Sequence, residues 1–225
     1  MKDLAVSETV YVQALDLAAG VFLFAAVGML WRRELAAMIR LFAMQGAALA
    51  AIVAILGLHE HSVELVAVAA GLGLLRAGVL PVLARRTLGE APAEQRETSP
   101  EVNIAASLLA AAGLTLLSYV VTRPLVALAP SPATAILPVA VAVVLIGLFA
   151  LATRRRALSQ VVGFLLLDNG ITATAFLASA GFPLIVELGV SFDLLLVVLV
   201  LQLLTVRLRT AFGTTDLDEL RELHD

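Results

Sequence analysis

The chain has 225 residues, of which 61% are apolar and only 15% charged, and its mean hydropathy is +1.01. Soluble globular proteins carry roughly 45–50% apolar and about 25% charged residues, so this composition predicts an integral membrane protein. The absence of cysteine excludes a disulfide scaffold and cysteine-ligated zinc or iron–sulfur sites in this chain, and a net charge of -3 gives no basis for nucleic-acid binding.

Several apolar segments are long enough to cross a membrane. A spanning helix needs about 20 mainly apolar residues, and open backbone has no hydrogen-bond partner in lipid. We therefore predict an all-α integral membrane protein with seven transmembrane helices. The seven segments are residues 10–30, 35–58, 63–83, 104–126, 135–152, 161–180 and 184–206. A polar, proline-bounded stretch at residues 89–100 predicts a solvated linker after the third helix.

Basic residues are distributed unevenly between the two ends of the predicted helices. Of the 15 Lys and Arg residues, 11 follow the first, third, fifth and seventh helices, whereas only Lys2 and Arg123 lie at the opposite ends. Because cytoplasmic loops carry the excess of basic residues, the N-terminus is predicted to lie outside and the C-terminus in the cytoplasm. The protein is accordingly expected in the cell inner membrane, as a multi-pass protein.

Two parts of the chain have similar short sequences at a fixed offset. Val-Glu-Leu at residues 63–65 recurs 123 residues later, and the same offset sets Gln45 opposite Asp168. This echo suggests a parallel internal repeat of two three-helix halves, and the alternative is coincidence between two helical hairpins.

The predicted regions are an N-terminal three-helix region (residues 1–103, with a cytoplasmic linker at 87–103), a connecting helix and outer loop (104–134), a C-terminal three-helix region (135–212) and a cytoplasmic tail (213–225).

Three ionisable residues are predicted to lie near the middle of the membrane. Counting about 1.5 Å per residue from the nearest helix end places Asp168, Asp193 and Arg76 there. An ionisable group at this depth costs about 2.5–3.5 kcal/mol, which makes each a functional candidate. Burial favours the protonated form of a carboxyl and a nearby cation favours the ionised form. The two acids are therefore predicted to transfer protons, with Arg76 and the neighbouring Asn169 tuning their charge. Pro81 predicts a kink in the third helix that frees a backbone carbonyl.

Other charged residues are predicted at shallower depth. Glu64 and Glu187 lie about one turn inside the outer boundary and are predicted to act as proton-relay acids. Arg40 is predicted about 10 Å from the cytoplasmic side as a charge-tuning residue, and Asp16 lies in the outer half of the first helix. The alternative for each group is structural, because a buried ion pair fixes helix register and an outer-half acid can reach lipid headgroups.

The C-terminal third resembles hydrogenase-4 component E, a membrane subunit of formate-hydrogenlyase-type and other group 4 nickel–iron hydrogenase complexes. The similar stretches are residues 155–170 (RRALSQVVGFLLLDNG), 183–200 (PLIVELGVSFDLLLVVLV) and 212–220 (FGTTDLDEL). The resemblance extends to Arg76 and Pro81 in the third helix. Two positions depart from the family pattern, since Asp168 stands where Glu is usual and Arg76 where Lys is usual. An arginine does not release its proton, so a proton-carrier role does not transfer to position 76.

The last three predicted helices are also similar to the small subunit NuoK of respiratory complex I and to the MrpC subunit of cation/proton antiporters. This resemblance implies that Asp168 and Asp193 belong to a chain of membrane acids that leads into larger antiporter-like subunits. It further implies a non-catalytic membrane subunit of an oxidoreductase complex with no cofactor of its own. Its partners would be antiporter-like membrane subunits and peripheral hydrogenase or iron–sulfur subunits that hold the nickel–iron and iron–sulfur centres.

Two other functions fit the same residues. A subunit of a multisubunit cation/proton antiporter would carry these acids without a redox partner. A structural spacer subunit would use them only to lock helices together. A free-standing transporter is disfavoured, because the chain shows no inverted repeat and no pair of broken helices.

Overall fold

The computed structural model of the chain describes the backbone of residues 2–90, 103–154 and 157–179, and the side chains of residues 8–86, 103–154 and 160–179. These residues belong to one unit, Met1–Pro183. The elements within them are all helical: α1 (Lys2–Trp31), α2 (Leu35–His59), α3 (Val63–Leu72), a π-helical segment (Gly73–Val79), α4 (Leu80–Glu90), α5 (Ile104–Leu128), the single turn α6 (Pro132–Ala135), α7 (Leu137–Thr153) and α8 (Ala157–Ala178). The predicted seventh span at 184–206, with Glu187 and Asp193, and the predicted tail at 213–225 lie outside the described residues.

The described residues contain six helices that are long and apolar enough to cross a membrane, and all six correspond to predicted spans. The all-α prediction is thereby confirmed for this part of the chain. The third span, Val63–Arg86, combines α3, the π-helical segment and part of α4, and the fifth, Pro132–Thr153, combines α6 and α7. In the apolar parts of the spans formed by α1, α2, α7 and α8, 44–50% of the residues are buried, against 22% in the third span and 17% in α5. Four helices therefore form the centre of the bundle.

The turn between α2 and α3 is tight because its residues form hydrogen bonds both to the last turn of α2 and to the first turn of α3. His61 lies in the left-handed region with φ 54°, and the backbone N–H of Ser62 donates to the carbonyl of Gly57 at 2.9 Å. This is the hydrogen bond of a Schellman cap, which ends a helix. The Ser62 hydroxyl then accepts from the N–H of Leu65 at 3.2 Å and begins α3. The two helices are thus held as neighbours by a turn of three residues, 60–62.

Helices α7 and α8 approach each other closely because glycines face the partner helix. A Cβ atom on Gly147 would lie 2.7 Å from the backbone of Leu167, and one on Gly170 would lie 2.7 Å from that of Val144. No real side chain fits at these distances, so only glycine permits the contact. Small residues serve helix packing in membranes in this way. The close approach fixes the rotation of α8, which carries Asp168.

Two helices extend beyond the apolar segments that predict their spans. The predicted third span ends at residue 83, and α4 continues to Glu90. No proline interrupts this stretch before residue 92, so a helix can leave the apolar layer and continue into a polar sequence. The fifth span was predicted to begin at residue 135, but helical structure begins at Pro132 after a capping box formed by Ser131 and Thr134. Hydropathy detects the apolar part of a helix and misses polar ends of this kind.

Candidate functional site

The third span carries Arg76 inside a π-helical segment. The N–H of Leu80 donates to the carbonyl of Leu75, which is the i→i−5 bond of a π-helix. Pro81 follows and has no N–H to donate, so the i→i−5 series ends at this point. Arg76 is the residue that this segment buries. Such irregular turns are rare and occur frequently at functional sites.

Gly46 of α2 makes room for the backbone of Arg76. A Cβ atom at Gly46 would lie 2.7 Å from the carbonyl carbon of Arg76 and 2.9 Å from its carbonyl oxygen. Any side chain at this position would push α2 away from the π-helical segment. The glycine therefore allows the third span to bring a large charged residue into the centre of the bundle.

The Arg76 guanidinium is held by α8. Its Nη1 lies 2.7 Å from Oδ2 of Asp168, and the two side chains are 2% and 13% exposed. Nη1 also donates to Oδ1 of Asn169, and Nη2 donates to the hydroxyl of Thr172 at 3.1 Å. The three acceptors lie within little more than one turn of α8, so a single cation faces one charged and two neutral oxygen acceptors.

A buried chain of amides continues from this ion pair to α2. Asn169 Nδ2 donates to Oε1 of Gln45 at 2.9 Å, and both residues are fully buried. Because Arg76 can only donate hydrogen bonds, Asn169 must turn its oxygen toward the guanidinium and its nitrogen toward Gln45. The Thr172 hydroxyl donates to the backbone carbonyl of Asp168 at 2.9 Å, which leaves its oxygen free to accept from Arg76. Each hydrogen bond in the network therefore has a defined donor and a defined acceptor. The network joins α2, the third span and α8.

The network includes only some of the predicted site residues. It brings Arg76, Asp168 and Asn169 together. Arg40 is exposed and donates to the carbonyl of Ala36 in its own helix at 3.4 Å. Glu64 is exposed in the first turn of α3. Neither residue contacts the network.

Gln45 is a member of the network that the search for charged residues missed. The only sequence signal for it was the 123-residue echo that set it opposite Asp168. Its Nε2 atom is buried and has no hydrogen-bond acceptor within the described part of the chain. Glu187 and Asp193 lie outside the described residues, so their positions relative to the network are not described.

A second buried cation lies at the C-terminal end of α7. Arg154 is 4% exposed, and its Nη2 donates to the carbonyl of Met29 at 3.1 Å and approaches that of Arg32 at 3.4 Å. These carbonyls end α1, where a positive charge is favoured by the helix dipole. Burial lowers the pKa of Arg154 from its ordinary value, although an arginine keeps its proton in a protein. Arg154 therefore fastens α7 to the end of α1.

The fold and this network define a class: an all-helical protein of the multi-pass membrane type with a buried ion pair among its spans. Within the ranges that the structure describes, no group of three or more His, Asp or Glu side chains is arranged to hold a metal ion. The chain is 53% identical over 210 residues to a protein of Mycobacterium tuberculosis (strain ATCC 25618 / H37Rv) named "Uncharacterized protein Rv0085", covering 93% of this chain and 96% of that protein. The chain therefore belongs to the same family as that mycobacterial protein. No family model matches the chain, and no solved structure matches it.

Proposed function

We propose that the chain is a membrane-arm subunit of a complex-I-like complex of the group 4 nickel–iron hydrogenase type, in the cell inner membrane. Its part is to contribute buried acids to the movement of protons, or of sodium ions, that is coupled to electron transfer in peripheral partner subunits. The observation that carries the proposal is the 2.7 Å ion pair of Arg76 with Asp168 between two spanning helices. The resemblance of the sequence around Asp168 to hydrogenase-4 component E supports it.

In this proposal Asp168 is the group that gains and loses a proton. Ionised Asp168 pairs with Arg76. When the carboxylate takes up a proton, Arg76 keeps its charge and shifts toward the neutral oxygens of Asn169 and Thr172, which it already contacts. The cation is thus never left without acceptors. The Asp168 side chain is 13% exposed, against 2% for that of Arg76, so Asp168 is the more accessible partner of the ion pair.

Two further roles rest on counted depth and on the resemblance. Asp193 would be a second midplane proton site, and Glu187 an outer-half relay or a helix anchor. The nickel–iron and iron–sulfur centres belong to partner subunits, and this chain performs no redox step. The topology has the N-terminus outside and the C-terminus in the cytoplasm.

The proposal is tested by neutralising the ion pair as a whole. In the double variant Asp168→Asn/Arg76→Gln neither charge remains, so no unpaired cation destabilises the bundle. Inverted membrane vesicles are supplied in turn with formate, hydrogen and NADH, and the donor that the complex oxidises is used to drive proton uptake. We expect the double variant to assemble and oxidise the donor without moving protons, and Asp168→Glu to retain proton movement.

Glu34→Gln is the matched control, because Glu34 is an exposed acid at the start of α2. Normal proton uptake in the double variant would contradict the proposal. If the double variant changed only assembly or thermal stability, the structural-spacer function would replace it. Dissipation of an imposed proton gradient by added Na⁺, with no donor oxidised, would instead favour the antiporter function.

A further inference from the structure

One face of α1 is exposed along much of its length and differs in character from the rest of the helix. We call it the outer face of α1 and define it by five residues. These are Gln13, Asp16, Leu17, Gly20 and Phe24, all of them exposed. Their spacing of three, four and seven residues places them on one side of a helix. The opposite side packs into the bundle, where Leu15 and Phe22 are buried.

Asp16 is a charged group at membrane depth on this face. The apolar segment of α1 runs from residue 10 to residue 30, so at about 1.5 Å per residue Asp16 lies roughly 9 Å from one end and roughly 21 Å from the other. The structural alternative required Asp16 to reach the lipid headgroups, but an aspartate side chain is much shorter than lysine or arginine and does not span this distance. Among the described residues, no cation forms a salt bridge with Asp16. A carboxylate left in lipid at such a depth without a counter-charge is unfavourable.

Gly20 lies one turn from Asp16 on the same face. No atom lies within 4 Å of the position that its Cβ would occupy, which is also true of the glycines at 71, 78 and 113. Among these four glycines, Gly20 is the one that has an acidic residue within one turn on its own helix. Glycine inside a helix is less favourable than alanine, and no contact within the described residues uses the space that Gly20 leaves. In membranes such a position allows the backbone of another helix to approach.

From these observations we propose that the outer face of α1 is the docking surface for a transmembrane helix of a partner subunit that carries a lysine or arginine at the depth of Asp16. Charge complementarity selects this occupant. Lipid tails offer no counter-charge at that depth. A second copy related by a two-fold axis would set the same patch against itself and bring two Asp16 carboxylates together. The inference does not depend on the role of Asp168.

The natural chain contains no cysteine, so single cysteines can be labelled without background. Leu17 and Leu116 make a matched pair, because each is 70% exposed and each lies within a spanning helix. Leu17 lies on the outer face of α1 and Leu116 on α5. A nitroxide label is attached to Leu17→Cys or to Leu116→Cys in native membranes, and its collisions with molecular oxygen, which dissolves in lipid, are measured by electron paramagnetic resonance.

We expect the label at position 17 to be immobilised and shielded from oxygen, and the label at position 116 to be accessible. Adding Asp16→Asn should remove the shielding at 17, and Asp16→Glu should preserve it, because only the acid pairs with the partner's cation. Equal oxygen accessibility at 17 and 116 in the unmodified background would mean that the face is exposed to lipid and would overturn the proposal.

Two further results would also overturn it. Efficient disulfide formation between two Leu17→Cys chains would identify a second copy as the occupant. Shielding at 17 that persists after the full chain has been purified from its partners into lipid vesicles would identify a segment of this chain. None of these readouts measures proton movement, so the proposed proton-transfer function and this interface can fail separately.

Discussion

Replacing Asp168 by Asn removes the counter-charge of Arg76 while keeping the size of the side chain nearly unchanged. The Arg76 side chain is 2% exposed and its Nη1 lies 2.7 Å from Oδ2 of Asp168, so in the variant Arg76 would remain buried without a paired charge. Breaking a buried ion pair from one side costs about 3–5 kcal/mol. Arg76 would keep its hydrogen bonds to Asn169 and Thr172, which places the expected loss near the lower end, at about 3 kcal/mol.

Removing both charges should cost much less than removing one. Uncharged replacements for a buried ion pair are often neutral or stabilising, so Asp168→Asn/Arg76→Gln should unfold within about 1 kcal/mol of the natural protein. The two single variants should therefore show a strong coupling energy, as expected of residues in direct contact. The bond between Asn169 and Gln45 is left intact in each variant.

The assay is reversible unfolding of the purified chain in mixed detergent micelles by increasing sodium dodecyl sulfate, followed by circular dichroism. A loss of about 3 kcal/mol is roughly a hundred-fold change in the unfolding equilibrium, which this titration resolves. Glu34→Gln is the control and should unfold with the natural protein. Two results would contradict the ion pair as a source of stability. One is that Asp168→Asn is as stable as the natural protein, and the other is that the double variant is no more stable than Asp168→Asn.

The remaining predictions use the same titration. Gly46→Ala should lower the free energy of unfolding by about 1–3 kcal/mol through overpacking against the Arg76 backbone. Gly71→Ala, with no atom within 4 Å of its Cβ position, should raise it by up to about 1 kcal/mol. Equal effects of the two substitutions would contradict the close approach of Gly46 to Arg76. Arg154→Gln should lose about 1–2 kcal/mol, because the charge at the end of α1 is lost. Arg123→Gln, at an exposed arginine on α5, should change stability by less than about 0.5 kcal/mol, and an equal loss in both arginine variants would argue against the contact to α1.

The helices were predictable where hydropathy alone determines them. Six predicted spans lie within the described residues and are helices there. Their ends were less predictable, as α4 shows by continuing to Glu90. An apolar segment marks where lipid requires a helix, but a helix can extend into water wherever the local sequence permits it.

The candidate site was predictable in part. The depth of a residue in the membrane can be counted along a helix, whereas the direction in which its side chain faces cannot. Counting placed Arg76 and Asp168 at one level, and the structure joins them. Counting also selected Arg40 and Glu64, which the structure leaves on exposed faces. Whether a charged residue faces the bundle depends on the packing of neighbouring helices.

Two features of the network had almost no signal in the sequence. Gln45 is uncharged and was indicated only by the 123-residue echo. Pro81 indicated an irregular helix, but not that a π-helical segment would precede it. The hydrogen-bond register of such a segment depends on tertiary contacts, here the approach of Gly46 to Arg76.

The most direct test of the central claim is to observe the proton on Asp168 itself. Infrared difference spectra of the complex in native membranes, recorded on addition of the donor that it oxidises, detect the carbonyl stretch of protonated carboxyl groups. We expect a protonated-carboxyl band in the natural protein that is absent from Asp168→Asn/Arg76→Gln and shifted in Asp168→Glu. The same band at full intensity in the double variant would contradict the claim that Asp168 takes up and releases a proton.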